Sequence, residues 1–228
     1  MGLPKRTPRL AGSDMPGPAV PAEAADLEVL SQVIADAFHD LPQSRWLVPD
    51  QAARREIFPG YFRLYVEHAM ASGVVHTTTD RTAAALWLPT GQNAAGPPAG
   101  YGAQLADAAG PWIDQFLAFD ATLNRHHPAG TAHHHLAILA VRPDRQGQGT
   151  GSMLLRAYHQ TLDRDHGAPA YLEAADLRTR QLYLRHGYAL RPDAPFYLPD
   201  GGPPMWPMWR EPQPKPARQE KGSDERAT

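Results

Sequence analysis

The chain has 228 residues, of which 42% are hydrophobic and 20% charged, with a formal net charge of −2 at pH 7. This length suits one domain with a full hydrophobic core, and the small net charge argues against a general nucleic-acid binder. The chain has no cysteine, which excludes a disulfide framework, a cysteine-ligated zinc site and a thiolate nucleophile. No apolar run approaches the roughly 20 residues that span a membrane, so we expect a cytoplasmic protein without membrane partners.

Both ends of the chain are predicted to lie outside the folded domain. Residues 1–21 are rich in proline, and their basic residues are not followed by the apolar stretch of a secretory signal. Residues 211–228 combine prolines with charges, and alanine is their only other apolar residue. The sequence therefore predicts disordered tails over 1–21 and 211–228, with one domain over 22–210.

The N-terminal part of the domain has the hydrophobic spacing of helices followed by a hairpin and another helical stretch. Prolines and glycines interrupt both long helical stretches. The predicted elements are a helix over Glu23–His39, a helical region over Ala52–Ser72 broken at Pro59-Gly60, strands over Val74–Thr78 and Ala83–Leu88, a loop over Gly91–Gly100, and a helical region over Tyr101–Arg125 interrupted at Gly110-Pro111.

The C-terminal part alternates strands and helices, which is typical of a mixed α/β sheet. Its first strand is almost continuously apolar, so we expect it to be central and covered on both faces. The predicted elements are strands over His134–Val141, Ala170–Ala174 and Met205–Arg210, and helices over Gly151–Asp165 and Leu177–His186.

A glycine-rich turn joins the apolar strand to the helix that follows it. Glycines at 147, 149 and 151 allow the backbone to approach a ligand closely. The first N–H groups of the helix have no partner within the helix, and together with the positive end of its dipole they favour phosphate oxygens. The segment therefore predicts an anion site, against the simpler interpretation of a loop that only turns the chain.

Two common nucleotide motifs do not fit this turn. A Walker A loop requires a lysine that is absent here, and the dinucleotide fingerprint requires a third glycine where Ser152 stands. The remaining pattern, Gln/Arg-x-x-Gly-x-Gly/Ala, is met by Gln146, Gly149 and Gly151. It resembles the acetyl-CoA pyrophosphate motif of the GNAT acetyltransferase superfamily, and the preceding Val141 and Pro143 are also similar to that family.

Further segments carry the same resemblance. Residues 182–188, Leu-Tyr-Leu-Arg-His-Gly-Tyr, resemble the family's C-terminal motif, and Tyr171–Ala174 resembles its fifth strand. Residues 37–50 and 85–87 resemble the branch that contains puromycin N-acetyltransferase. The resemblance implies a GNAT fold: a mixed, mostly antiparallel sheet flanked by helices and splayed at the acetyl-CoA site.

The resemblance implies direct acyl transfer from CoA to an amine. It implies that backbone groups of the strand pair with the pantetheine arm and that the turn holds the pyrophosphate. In the family, an asparagine or serine in the last helix commonly contacts the CoA arm. In this sequence Thr179 stands at the closest matching position, where its hydroxyl could make that contact. The implied acetyl-CoA-binding residues are Leu139, Ala140, Val141, Arg145, Gln146, Gly147, Gln148, Gly149, Thr150, Gly151, Ser152 and Thr179.

The reaction also requires a base for the amine and an acid for the departing thiolate. The resemblance places Tyr183 near the sulfur as the acid, against the alternative of a core aromatic residue. Glu173 and His135 are alternative bases, acting directly or through a water, and either could instead be a structural strand residue. Strand alternation predicts that His133 and His135 share one face and that His134 lies on the other.

Five histidines lie within residues 126–135, and we considered them as a metal site. Neighbours on a strand point apart, and the segment has neither His-x-x-x-His helix spacing nor a paired carboxylate. The sequence therefore predicts no metal site.

The acceptor is predicted to be a small-molecule amine with a partly apolar body, such as an antibiotic or secondary metabolite. A protein or peptide amine, or a non-catalytic acyl-CoA-binding module, are the alternatives. A homodimer is compatible with the sequence, and neither nucleic acid nor membrane is an expected partner. The candidate aromatic wall residues are Trp46, Tyr65, Trp87, Trp112 and Phe116. For most of them a place in the core is the stronger interpretation, above all for Trp87 on a strand and Phe116 on a helix.

Overall fold

The structure is a computed structural model that describes residues 17–91 and 96–213. The predicted tails therefore lie mostly outside the described residues, as does the middle of the predicted loop over 91–100. None of the helices in the described ranges combines the length and the apolar character that a membrane crossing requires.

The described residues form an alternating series of helices and strands. The helices are α1 (Leu27–Phe38), α2 (Pro42–Leu47), α3 (Gln51–Ser72), α4 (Tyr101–Ala109), α5 (Ile113–His126), α6 (Thr150–Thr161) and α7 (Leu177–Arg185). The strands are β1 (Ala19–Pro21), β2 (Val74–Thr78), β3 (Ala83–Pro89), β4 (His134–Val141), β5 (Ala170–Ala174), β6 (Ala189–Leu190), β7 (Phe196–Tyr197) and β8 (Pro204–Arg210).

These strands form one mixed, mostly antiparallel sheet in the order β1-β2-β3-β4-β5-β8-β6, with β7 paired to β8. The pair formed by β4 and β5 is parallel, whereas the other pairs are antiparallel. Each face carries its own buried cluster: α1, α3, α4 and α5 cover one face, and α6 and α7 cover the other. As predicted, β4 is central and packed on both faces.

The sheet opens between β4 and β5. The two strands pair only at His134 with Ala170 and at His135 with Tyr171, although β4 continues to Val141 and β5 to Ala174. The later residues of β4 remain paired with β3 on one side, where Ala137 is an extra residue between the Trp87–Leu136 and Leu86–Ile138 pairs. Their other edge has no partner strand within residues 17–91 and 96–213, and this produces the predicted splay.

A short strand lies within the segment predicted as an N-terminal tail. Ala19–Pro21 pair antiparallel with β2 at the edge of the sheet. An edge strand tolerates Pro21 because the missing N–H on its outer side costs no ladder hydrogen bond. The prediction that residues 1–21 form no packed element is therefore wrong at Ala19–Pro21.

Helix α3 runs through the predicted break at Pro59-Gly60. Proline in a helix interior removes a hydrogen bond and costs about 3 kcal/mol. Here Phe58, Tyr61 and Phe62 on either side of Pro59 are buried against the core, and this packing offsets the local cost. The interruption at Gly110-Pro111 is confirmed, since a 3-10 turn over Gly110–Trp112 separates α4 from α5.

Candidate active site

A cavity of about 690 Å³ lies in the opening between β4 and β5. It extends from the glycine-rich turn past the ends of both strands to the helices on one face of the sheet. Of the predicted catalytic and acetyl-CoA-binding residues, only Gln148 does not line the cavity. The predicted residues that line it are His135, Leu139, Ala140, Val141, Arg145, Gln146, Gly147, Gly149, Thr150, Gly151, Ser152, Glu173, Thr179 and Tyr183.

The glycine-rich turn has a backbone shape that only glycine adopts readily. Gly147 and Gly149 have φ values of +79° and +86°, and a Cβ added to either would meet nothing within 4 Å. The open space in front of this backbone leaves room for a ligand to approach. Gly151 differs, because a Cβ there would contact Leu139 and Leu182 at ordinary van der Waals distances. An alanine would therefore fit at this position without displacing α6, β4 or α7.

Helix α6 begins at the cavity without a side-chain cap. Gly149 occupies the N-cap position and offers no side-chain acceptor. The first intrahelical hydrogen bond is donated by the N–H of Met153 to the carbonyl of Gly149. The amides of Thr150, Gly151 and Ser152 precede the first bonded turn and have no acceptor within the helix. They can bind an anion together with the positive end of the helix dipole.

Arginines surround this anion site. Arg145 lines the cavity, as predicted, and its Nε is buried without a hydrogen-bond partner in the described residues. Arg178 and Arg185 on α7 also line the cavity but were missed by sequence reasoning. Their nearness to the turn depends on how α7 docks, and the only sequence signal was a basic helix following the fifth strand.

Gln146 shapes the turn. Its Nε2 donates to the carbonyl of Val141 at 3.0 Å, and its Oε1 accepts from Arg178 at 3.5 Å. These contacts fasten the turn to the end of β4 and to α7. Ser152 makes a comparable link, because its hydroxyl lies 2.9 Å from Nε2 of His186.

Asp176 caps α7 at the cavity edge. Its Oδ1 accepts from the backbone N–H of Thr179 at 2.6 Å, and the Thr179 hydroxyl in turn bonds to Asp176. The Thr179 hydroxyl is therefore already used in a capping box, and only its remaining lone-pair capacity is available to a ligand. The predicted contact of Thr179 with the CoA arm stays a prediction.

Tyr183 lies on the inner face of α7 and lines the cavity. It is 7% exposed, and its hydroxyl has no hydrogen-bond partner among the described residues. Burial, with a smaller contribution from the charge of Asp176, raises the pKa of Tyr183 above its ordinary value. The hydroxyl is therefore protonated at neutral pH and can donate a hydrogen bond or a proton into the cavity.

The two candidate bases contact each other across the point where β4 and β5 part. Nε2 of His135 lies 2.9 Å from Oε2 of Glu173. Burial raises the pKa of Glu173, but interactions with His135, and to a smaller extent with Tyr171 and His127, outweigh it, so the pKa lies below its ordinary value. An ionised carboxylate only accepts hydrogen bonds, so Nε2 of His135 carries the proton and a neutral ring keeps its lone pair on Nδ1. Glu173 thereby orients His135 as a proton acceptor.

Two further histidines pack beside this pair. His133 shares the face of His135, and both rings contact Tyr171, whereas Nδ1 of His134 lies 2.9 Å from the Tyr158 hydroxyl on the other face. The predicted alternation is therefore confirmed. Burial lowers the pKa of His127 to about 4, with a smaller contribution from the charge of His135.

The far end of the cavity is aromatic, and most of the candidate wall residues lie elsewhere, including Trp87 and Phe116 in the core as the sequence favoured. Of the candidates, only Tyr65 lines the cavity. Trp87 is fully buried and stacks on Tyr158 on the opposite face of the sheet, and Phe116 is fully buried against Tyr61. Trp46 donates to the carbonyl of Pro199, and Trp112 packs against the core. The observed apolar walls are Leu41, Leu47, Tyr61, Phe62, Tyr65, Phe119, Leu123 and Met205.

Comparison with known proteins defines the class of this fold and site. Residues 114–190 match the sequence model described as an acetyltransferase (GNAT) domain. The chain is similar to a solved Corynebacterium glutamicum protein described as histone acetyltransferase HPA2 and related acetyltransferase, at 25% identity and a TM-score of 0.63. That match covers 87% of this chain and 98% of the other.

Two more distant structures share the fold. Arylalkylamine N-acetyltransferase 2 from Aedes aegypti is 11% identical, with 86% of this chain and 98% of that chain covered and a TM-score of 0.60. An agmatine N-acetyltransferase is 16% identical, with 85% and 98% covered and a TM-score of 0.54. The protein thus has the predicted GNAT fold. Part of the chain matches a GNAT acetyltransferase domain, and the protein is an acyltransferase.

Proposed function

We propose that this protein transfers an acetyl group from acetyl-CoA directly to the primary amine of a small molecule. The observation that carries the proposal is the single cavity that joins an uncapped helix N-terminus, a hydrogen-bonded His135–Glu173 pair and an aromatic wall. The first feature suits a diphosphate, the second an amine that must lose a proton, and the third the apolar body of an acceptor.

Acetyl-CoA would lie along the glycine-rich turn and the free edge of β4. The amides of Thr150, Gly151 and Ser152 would bind the diphosphate, and the cavity-lining Arg145, Arg178 and Arg185 would offset its charge. The pantetheine amides would pair with the unpartnered edge of Leu139–Val141, as an added strand does.

The chemistry requires one base and one acid. Nδ1 of His135 accepts a proton from the ammonium form of the acceptor, and the free amine nitrogen then attacks the thioester carbonyl carbon. The carbon–sulfur bond breaks as the carbon–nitrogen bond forms, and the sulfur receives a proton from the Tyr183 hydroxyl. The nitrogen loses its second proton to water, which leaves a neutral amide. His135 and Tyr183 return to their starting states by exchange with solvent, leaving the N-acetyl amine and CoA.

The acceptor end of the cavity favours an amine with an aromatic or other apolar body. Tyr61, Phe62, Tyr65 and Phe119 supply most of its aromatic surface. The hydroxyls of Tyr61 and Tyr65 lie 3.0 Å apart and can bind a polar group on such a body. The resemblance to the puromycin N-acetyltransferase branch and the arylalkylamine neighbour also favour a small-molecule acceptor.

The test is thiol release from acetyl-CoA in the presence of separate panels of small amines and of peptides. The small-amine panel includes arylalkylamines, agmatine and puromycin, and reactions without acceptor measure background hydrolysis. We expect turnover with at least one apolar amine and background rates with peptides. Turnover with peptides alone would replace the small-molecule acceptor, and background rates throughout, despite CoA binding, would contradict the proposed reaction.

A further inference from the structure

A second arrangement of ligating groups lies beside the proposed base. His127 directly follows α5, His135 lies on β4 and Glu173 lies on β5. One ring nitrogen of each histidine and one carboxylate oxygen of Glu173 lie within 4.8 Å of one another. Two imidazoles and one carboxylate form a ligand set that zinc accepts, with a fourth position left for water or substrate.

Hydrogen bonds fix the His127 ring in a form that can bind a metal. Nδ1 of His133 faces the carbonyl of Thr131 at 2.8 Å, so this nitrogen carries the proton. In a neutral ring, Nε2 of His133 is then an acceptor, and it lies 3.1 Å from Nε2 of His127. His127 therefore donates through Nε2 and keeps a lone pair on Nδ1. An outer hydrogen bond of this kind orients a metal-binding imidazole and favours the correct tautomer.

One carboxylate oxygen of Glu173, Oε1, has no hydrogen-bond partner among the described residues. The Glu173 side chain is 6% exposed, and Oε2 bonds to His135. The Tyr171 hydroxyl acts on this carboxylate and helps to lower its pKa, but neither that hydroxyl nor Oε1 has a partner at hydrogen-bond distance within residues 17–91 and 96–213. A buried carboxylate oxygen without a partner is costly. A bound cation would satisfy it.

We propose that His127, His135 and Glu173 form a zinc site, with water from the adjoining cavity as the fourth ligand. Zinc bonds to nitrogen and oxygen are about 2.0–2.2 Å long, so the three side chains need only a small inward adjustment. The positive charge of Arg191 acts on His127 against cation binding, but Arg191 lies 3.6 Å from Asp193, which offsets part of it.

Zinc at this site would inhibit the acyltransferase. A zinc ion on His135 takes the ring out of proton transfer, because a ring nitrogen and its orienting carboxylate are both engaged by the metal. This consequence rests on the proposed function, whereas binding of the metal does not. The site would make acetyl transfer sensitive to the free zinc concentration.

Binding is tested on the full chain by calorimetric titration with Zn²⁺ and by the visible absorption of added Co²⁺. We expect one Zn²⁺ per chain and the intense Co²⁺ bands of a four-coordinate site. His127→Gln should weaken binding by about tenfold or more, since loss of an outer partner alone costs 10–100-fold. His126→Gln removes the adjacent imidazole, which stacks on Phe196 outside the cluster, and should bind as the wild type does.

The proposal is overturned if the wild type binds no stoichiometric zinc or if His127→Gln binds it equally well. In the activity arm, Zn²⁺ should inhibit the wild type and a chelator should restore it, with His127→Gln resistant. Zinc binding without inhibition, or with activation, would overturn the inhibitory role. Failure of acetyl transfer with every amine would instead refute the proposed function and leave the binding result standing.

Discussion

At the scale of single residues, the contact between His135 and Glu173 gives each a distinct part in the proposed reaction. Glu173 is buried and ionised, and it accepts the proton on Nε2 of His135. Its side chain is 6% exposed against 18% for His135, so in the proposed reaction His135 is the base and Glu173 the positioning residue. The two alternatives from the sequence thus become one hydrogen-bonded unit.

Replacing His135 should lower activity more than replacing Glu173. His135→Ala should reduce kcat/KM by about 100-fold or more, the usual contribution of a general base. Glu173→Gln should cost less, because its amide oxygen can still accept from Nε2. Steady-state kinetics of the wild type and both variants measure the difference. Wild-type activity in His135→Ala would exclude it as the base.

Tyr183 is predicted to act on the leaving thiolate and not in binding. Tyr183→Phe keeps the ring in its pocket and should lower kcat by about 100-fold, with little change in the KM for acetyl-CoA. Tyr188→Phe is a suitable control, since Tyr188 packs beside Tyr183 on the same face but does not line the cavity. Full activity of Tyr183→Phe would remove the acid role.

At the scale of elements, the turn from β4 into α6 holds two glycines with different constraints. Gly149 provides a left-handed N-cap with open space before it, whereas Gly151 lies within α6 and has room for a methyl group. The sequence motif already admits alanine at the second position. The backbone angle of Gly149 and the surroundings of each Cβ give the physical reason for this difference.

This difference predicts unequal effects of alanine. Gly149→Ala forces a left-handed conformation that costs about 1–2 kcal/mol. It should lower the melting temperature and raise the KM for acetyl-CoA, because relief of strain moves the amides of the turn. Gly151→Ala places its methyl at ordinary contact distances and should change both quantities little. The melting temperature and the KM for acetyl-CoA are measured for both variants. Equal effects of Gly149→Ala and Gly151→Ala would contradict the different constraints at the two positions.

At the scale of the whole molecule, the splayed sheet holds two hydrophobic clusters apart and leaves the cavity between β4 and β5. The cluster beneath α6 also contains polar groups. His159 is 5% exposed, lies 3.1 Å from the Tyr188 hydroxyl, and has a pKa lowered to about 3, chiefly by burial. It is therefore neutral in the folded protein and takes up a proton on unfolding at mildly acidic pH.

The buried histidine should make stability depend on pH. Its folded pKa lies below the unfolded value of about 6.5, so the unfolded state binds more protons as pH falls below 6.5 and stability decreases. Between pH 7 and pH 5 this single group should remove about 2 kcal/mol. His159→Gln cannot titrate and should show a smaller loss, measured by urea unfolding at both pH values. An equal loss in wild type and variant would refute this account.

The sequence by itself determined the order of the main elements and the position of the glycine-rich turn. Both depend on local physics: apolar periodicity over His134–Val141, and glycines at 147 and 149 between a strand and a helix. Local rules were wrong at Pro59, where buried neighbours keep the helix continuous, and at Ala19–Pro21, where pairing to β2 orders a proline-rich segment.

Only the tertiary structure determined which side chains lie next to each other in the cavity. The His135–Glu173 contact and the nearby His127 depend on how β4 and β5 separate and where α5 ends. The aromatic residues that form the acceptor wall depend on which face of each element is buried, so Tyr61 lines the cavity while Trp87 lies in the opposite core. Residues far apart in sequence are brought together by packing of the whole chain, which no local pattern encodes.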